Sequence, residues 1–195
     1  MLAEVLKDYN VILASKSPRR KLLLEGLEVK FTIASKDVIE SFPPELKREK
    51  IAIYLSELKA NAFTGHLKEN DLLISSDTIV WLDDEILHKP FDIEDAYRIL
   101  GKLSGKTHEV ITAVSFKTYK KIHTFIDITK VTFNELSQAE IEFYVNKYSP
   151  FDKAGAYGAQ EWIGYVAIKK IEGSYFNVMG LPTEKLYKEI IKFVG

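Results

Sequence analysis

The chain of 195 residues is 46 % hydrophobic and 28 % charged, carries a formal net charge of −1 at pH 7, and contains no cysteine. That length can bury a substantial interior as one domain, or as two small lobes sharing a core, and the composition is ordinary for a globular protein. The balanced charge leaves no global basic field for nucleic acid or membrane surfaces. The absence of thiols excludes disulfides, thiolate metal sites and cysteine nucleophiles, which suits a reducing compartment. The first eight residues lack a basic stretch followed by a long apolar core, so no signal peptide is expected. No apolar run approaches the ~20 residues of a membrane span, and a cytoplasmic location is the expectation.

The apolar run 11–14 reads as a short buried strand. Ser17 then suits a helix N-cap, with Pro18 at the first helical position, Leu22, Leu23 and Leu24 on a buried face, and Gly26 as the stop. Lys16, Arg19, Arg20 and Lys21 crowd the start of this helix, where each cation is disfavoured by roughly 0.3–1 kcal/mol. Two readings remain open there: a solvated basic helix start, or a strand-to-helix turn built for a polyanion. Residues 29–34 read as a second strand, and 35–44 as a loop carrying Asp37 and Glu40 and ending in a double proline. A long helix over about 45–64 follows, closed by Gly65, with Ile51, Leu55, Leu58 and Ala62 as its apolar stripe. Lys59 falls at the edge of that stripe, either snorkelling to water or aimed into a cleft.

Residues 71–82 form a strand apolar on both faces, as a central strand should be, and 83–85 turn the chain. A helix capped by Asp92 runs to Ser104-Gly105. Strands over 109–119 and 122–133 pair as a hairpin through Lys120-Lys121. Ser137 and Glu140 make a capping box that opens a helix to about Asn146. A glycine-bearing loop spans 151–160, a further strand is expected over 162–171, and Gly180-Leu181-Pro182 starts the last helix. No internal repeat or linker interrupts the chain. Strands and helices mix in both orders, which predicts an α/β fold on a mixed sheet.

Asp77 is the most informative single residue, because Asp is depleted from strands and this strand is apolar on both faces. A carboxylate there must be paired, ligate a metal or lose its charge. It serves either as a structural acceptor for Ser75, Ser76 or backbone, or as a group that deprotonates water or holds a divalent ion. Asp37 and Glu40 alone make a solvated acidic turn; together with Asp77 they make an oxygen-rich magnesium site. Lys89 is held extended by Pro90 and by itself reads as an exposed loop lysine. His66, His88, His108 and His123 share no metal-ligand spacing and are expected to be structural. Neither a Walker A motif nor a dinucleotide fingerprint is present.

Several short motifs nevertheless fall in one register. Ser15-Lys16-Ser17-Pro18-Arg19-Arg20, Ser76-Asp77-Thr78, Lys89-Pro90, Leu103-Ser104-Gly105-Lys106-Thr107-His108, Asp152-Lys153-Ala154-Gly155-Ala156-Tyr157-Gly158 and Gly180-Leu181-Pro182 resemble, in order and spacing over essentially the whole chain, the Maf family. The resemblance implies a single Maf-like domain over 1–195: a long mixed β-sheet with flanking helices and two lobes around a central cleft, as in the inosine triphosphate pyrophosphatases. It implies hydrolysis of nucleoside triphosphates between the α- and β-phosphates, with a divalent cation, magnesium or manganese. It makes Asp77 the proton acceptor that activates water, with Glu40 joining Asp77 near the metal. Ser15, Arg20, Lys59 and Lys89 become triphosphate ligands.

The family divides by substrate at the positions of Arg19, Thr78 and Gln160, and all three residues resemble the branch acting on dTTP and UTP. The branch acting on 7-methyl-GTP carries Trp, Gln and Glu there. One departure is Glu161, where the dTTP/UTP branch usually has Gly; the extra acid either alters base readout or faces solvent. The alternatives are a 7-methyl-GTP pyrophosphatase, or a non-catalytic nucleotide-binding regulator of cell division. The family likeness also implies a homodimer, and neither nucleic acid nor membrane is an expected partner.

Overall fold

The computed structural model describes residues 1–195. The elements run α1 (Leu2–Val5), β1 (Asn10–Leu13), α2 (Pro18–Glu25), β2 (Thr32–Ile33), α3 (Glu49–Asn61), β3 (Asp71–Leu82), β4 (Glu85–Leu87), α4 (Ile93–Leu103), β5 (Thr107–Lys117) and β6 (Ile122–Phe133). They continue through α5 (Gln138–Tyr148), a 3-10 turn at Ala154–Ala156, α6 (Trp162–Ala167), β7 (Ile168–Glu172), α7 (Tyr175–Val178) and α8 (Thr183–Val194). Seven strands form one sheet in the order β2-β1-β3-β5-β6-β7, with β4 added to β3. β1 runs parallel to both β2 and β3, whereas β3–β4 and β6–β7 are antiparallel, so the sheet is mixed as expected. No helix is long and apolar enough to cross a membrane.

Local signals account for most boundaries. The Ser17 hydroxyl accepts from Arg20 N–H and caps α2, with Pro18 behind it. Asp92 accepts from Asp95 N–H at the start of α4, and the Ser137–Glu140 capping box is complete at α5. β3 spans the residues predicted for it, nearly all of them buried. Its turn into β4 places Asp83 and Asp84 at φ 49° and 63°, a conformation Asp tolerates better than most residues.

Three expectations are corrected. The long helix begins at Glu49, four residues late, because Arg48 sits at φ 49°, ψ −129° and cannot extend a helix backwards into the turn after Pro43-Pro44. The second strand shrinks to Thr32–Ile33; both residues are exposed, so no buried face holds a longer pairing. The strand expected over 162–171 is instead helix α6 followed by β7. Its aromatic and β-branched residues suggest a strand, yet Ile163 and Ala167, one helical turn apart, are fully buried while Tyr165 is 83 % exposed. Gly164 permits the turn, because a Cβ there would lie 1.9 Å from the Ala159 carbonyl oxygen.

The chain divides into two units. The first comprises Met1–Asp77, Thr112–Asp127 and Gly180–Gly195. Within it, β1 and β3 bury Leu13, Leu72, Leu73 and Ile74. A chain of hydroxyls, buried at Ser56, Ser75 and Ser115, accompanies them: Ser75 donates to the Ser56 carbonyl at 2.9 Å, Ser56 shares a 2.8 Å hydrogen bond with Ser115, and Ser115 a 2.9 Å one with the half-buried Thr124. The second unit comprises Thr78–Ile111 and Ile128–Met179. Its core centres on Val80, Leu100, Val131, Phe133, Tyr144 and Ile163. There the buried His108 Nε2 hydrogen-bonds the Tyr157 hydroxyl at 2.7 Å. Burial pulls its imidazole pKa down to about 3, so His108 is a neutral core residue, in keeping with the structural role expected of histidines that share no metal-ligand spacing.

Candidate active site

In the first unit, β1 delivers the basic turn beside β3. Leu13 pairs with Ile74, and Ala14 N–H donates to the Ile74 carbonyl at 2.8 Å, so the chain leaves the sheet at Ser15 just where β3 reaches Ser75, Ser76 and Asp77. Ser15 is buried and its hydroxyl accepts from Ser17 N–H at 3.1 Å, which tightens the turn into α2. Carboxyl ends of parallel strands are where open α/β sheets place their ligands.

The basic residues of the turn are not equivalent. Lys16 is exposed and pairs with Asp37 at 2.7 Å; its hydrogen bond holds the Asp37 carboxyl below the usual range. Arg20 points inward, its Nε donating to the Gly180 carbonyl at 2.9 Å. The Ser76 hydroxyl donates to the same carbonyl at 3.3 Å. Gly180 holds φ 107°, where a side chain is strained, so this acceptor rests on a glycine. Burial lowers the Arg20 pKa; the Asp77 charge opposes that, Arg19 adds to it, and Glu40 opposes it in turn. Arg20 therefore lies within the electrostatic reach of Arg19, Glu40 and Asp77.

Lys59 of α3 is the centre of the cluster. Its Nζ lies 2.6 Å from Asp77 Oδ1 and 3.1 Å from Glu40 Oε1. The Lys59 and Asp77 side chains are 16 % and 9 % exposed, and that of Glu40 is 44 % exposed. Of the two readings for Lys59, the ammonium does not snorkel to water; it is directed at two carboxylates. Asp77 likewise takes a charged partner, while Ser75 and Ser76 donate to carbonyls elsewhere.

The donor set also bears on a divalent ion. Glu40 and Asp77 converge on one cationic atom, so they can share a hard cation of similar position. No group of three or more His, Cys, Asp or Glu side chains is arranged to hold a metal ion. Two carboxylates are what magnesium usually takes from a protein when phosphate oxygens and water complete its shell. The residues fit such an ion jointly bound with a phosphate, and do not form an all-protein cage.

The remaining predicted residues lie in the second unit. Thr78 follows Asp77 on β3 and is half-buried; Lys89 is exposed in the segment after β4. Gln160 is half-buried, with a buried Oε1 that has no hydrogen-bond partner. Glu161 is not a solvent-facing acid: its side chain is 19 % exposed, Oε1 lies 3.1 Å from Lys153 Nζ, and Oε2 accepts from the Tyr144 hydroxyl. Sequence reasoning missed Ser76, Gly180, Tyr144 and Lys153 as members of these networks. Gly180, Ser76 and Lys153 each had a signal in a quoted motif, and Tyr144 had none.

A family model described as Maf-like protein matches residues 10–193. The chain belongs to the Maf-like protein family. A dTTP/UTP pyrophosphatase of Flavobacterium johnsoniae is 53 % identical to this Maf-like chain over 194 residues, 100 % of both chains. A dTTP/UTP pyrophosphatase of Flavobacterium psychrophilum is 51 % identical over 187 residues, 96 % of each. Among solved structures, the Staphylococcus aureus Ham1 protein aligns with a TM-score of 0.48 and 16 % identity, covering 95 % of this chain and 100 % of that one.

Proposed function

We propose that this Maf-like protein is a nucleoside triphosphate pyrophosphatase that hydrolyses dTTP and UTP to the monophosphate and pyrophosphate. The observation that carries the reading is the Lys59 ammonium of α3 held 2.6 Å from Asp77 of the buried strand β3 and 3.1 Å from Glu40, in a chain whose relatives bear that name.

In this reading Asp77 takes a proton from the attacking water, whose oxygen bonds to the α-phosphorus while the bond to the β-phosphate bridging oxygen breaks. Ser15, Arg20, Lys59 and Lys89 bind the triphosphate and hold the charge that grows on the departing pyrophosphate; one such preorganised contact is worth ~3 kcal/mol. An ammonium within reach of Asp77 can turn to a phosphate oxygen and leave the carboxylate able to accept a proton. Glu40 and Asp77 would hold a divalent cation, magnesium or manganese, which when bound neutralises phosphate charge and acidifies water.

Arg19, Thr78 and Gln160 set substrate choice. An amide both donates and accepts, so Gln160 can meet the O4 and N3–H edge of thymine or uracil. Its buried, unpartnered Oε1 supports that role, since an orphaned buried acceptor costs stability that a ligand donor recovers. The family likeness supports a homodimer, which light scattering tests directly.

The test is product analysis on dTTP, UTP, CTP, GTP and 7-methyl-GTP with magnesium. Pyrophosphate and monophosphate from dTTP and UTP ahead of the others bear the reading out. Preference for 7-methyl-GTP, or no turnover of any triphosphate, refutes it.

A further inference from the structure

The segment that carries Gln160 is a single turn clamped by one tyrosine. Glu161 N–H donates to the Gly158 carbonyl at 3.0 Å, closing a β-turn with Ala159 and Gln160 at its centre. The Tyr144 hydroxyl, projecting from α5, spans the ends of that turn: it accepts from Gly158 N–H at 3.1 Å and donates to the Glu161 carboxylate.

Glu161 is committed through every polar atom. Its carbonyl accepts from Gly164 N–H at 2.8 Å at the start of α6, and its second carboxylate oxygen meets Lys153 Nζ at 3.1 Å. Lys153 is itself buried and also contacts Asp152 at 2.7 Å. A buried lysine between two acids is expensive to desolvate and is better explained by geometric specificity than by net stability.

Gln160 sits inside this frame with its backbone fixed and its amide uncommitted at Oε1. A Cβ on Gly158 would lie 3.0 Å from both Gln160 Nε2 and Glu161 Oε2. The amide and the carboxylate therefore both fold over the same bare glycine, from adjacent positions of one clamped turn.

We infer that Glu161, held by Tyr144 and Lys153, is a positioning residue that aims the Gln160 amide and thereby sets the discrimination between pyrimidine and other bases. The inference rests on the dTTP/UTP reading of the site. It gives the departure at position 161 a specific role, in which the acid replaces the freedom of a small residue with a fixed direction for its neighbour.

Steady-state kinetics on dTTP, UTP and GTP test it, comparing wild type, Tyr144→Phe, Glu161→Gln, Gln160→Ala and the double variant Tyr144→Phe/Gln160→Ala. Tyr144→Phe should raise KM for dTTP and UTP about tenfold, leave kcat within about twofold, and leave GTP unchanged. Glu161→Gln, which keeps an acceptor for Tyr144 but loses the charge opposite Lys153, should have a smaller effect, about threefold. In the double variant the tyrosine change should add nothing to the loss from Gln160→Ala, because both act through one amide. Losses that multiply in the double variant, or that fall equally on GTP, overturn the proposal. Should Tyr144→Phe not fold, Glu161→Gln carries the same comparison. If wild type turns over neither dTTP nor UTP, the functional reading fails separately. Crystal structures of wild type and Glu161→Gln then decide the positioning claim, which an unmoved Gln160 amide overturns.

Discussion

Replacing Lys59 by Met removes the ammonium that Asp77 and Glu40 share while keeping the apolar stem of the side chain. Breaking one partner from a fully buried ion pair costs ~3–5 kcal/mol, because the charge left behind has lost its solvent. Lys59 and Asp77 are 16 % and 9 % exposed, but Glu40, at 44 %, keeps a path to water. Discounting for that screening leaves ~2 kcal/mol. In a chain of this size that lowers Tm by roughly 4–8 °C. If the loss comes from stranding the Asp77 charge rather than from cavity or packing, then adding Asp77→Asn should return about half of it or more. The assay is urea unfolding of wild type, Lys59→Met, and Lys59→Met/Asp77→Asn, read as midpoints at constant slope. A double variant less stable than Lys59→Met would refute the reasoning, since removing a stranded charge cannot then be what matters.

Gly158 and Gly164 both resist a side chain, with different readouts. Gly164→Ala places a Cβ 1.9 Å from a backbone oxygen and should cost more than ~3 kcal/mol, seen as loss of soluble folded protein or a steep fall in Tm. A Cβ on Gly158 would lie 2.8 Å from the Glu161 carboxyl carbon, which Tyr144 and Lys153 hold in place, so Gly158→Ala should cost ~1–3 kcal/mol and change the ratio of dTTP to GTP turnover. The His108 imidazole is held down at about 3, whereas in the unfolded chain it takes a proton near 6.5. Between those values the unfolded state binds the extra proton, so this contribution is complete above pH 6.5 and is lost as pH falls. The loss is at most ~1.4 kcal/mol per pH unit. Denaturation curves at pH 6.5 and 5 should therefore show wild type losing about 1.5 kcal/mol more than His108→Gln.

The sequence carried the fold where local chemistry settled it. Apolar residues on both faces marked β3, Asp92 and the Ser137–Glu140 box marked α4 and α5, and Ser17-Pro18 marked α2. It failed where distant atoms decided. α6 is helical because Gly164 lets the chain turn back onto Ala159 and because Ile163 and Ala167 find the core, neither of which is written in the hexapeptide. The site divides the same way. Asp77 stood out because an acid in a buried strand needs a reason. Lys59 did not, since its partner lies 18 positions away on another kind of element. Tyr144 gave no signal at all: on a helix face an aromatic reads as core, and its hydroxyl becomes a clamp only once Gly158 and Glu161 are brought to it.

The central claim is that Asp77 accepts the proton from the water that splits the α–β phosphoanhydride. Pyrophosphate release from dTTP by Asp77→Asn, measured beside calorimetric binding of dTTP to the same preparation, tests it most directly. A general base contributes ~10²–10⁴-fold, so turnover should fall at least ~10²-fold while binding remains measurable. Turnover within about tenfold of wild type, with dTTP still bound, would contradict it.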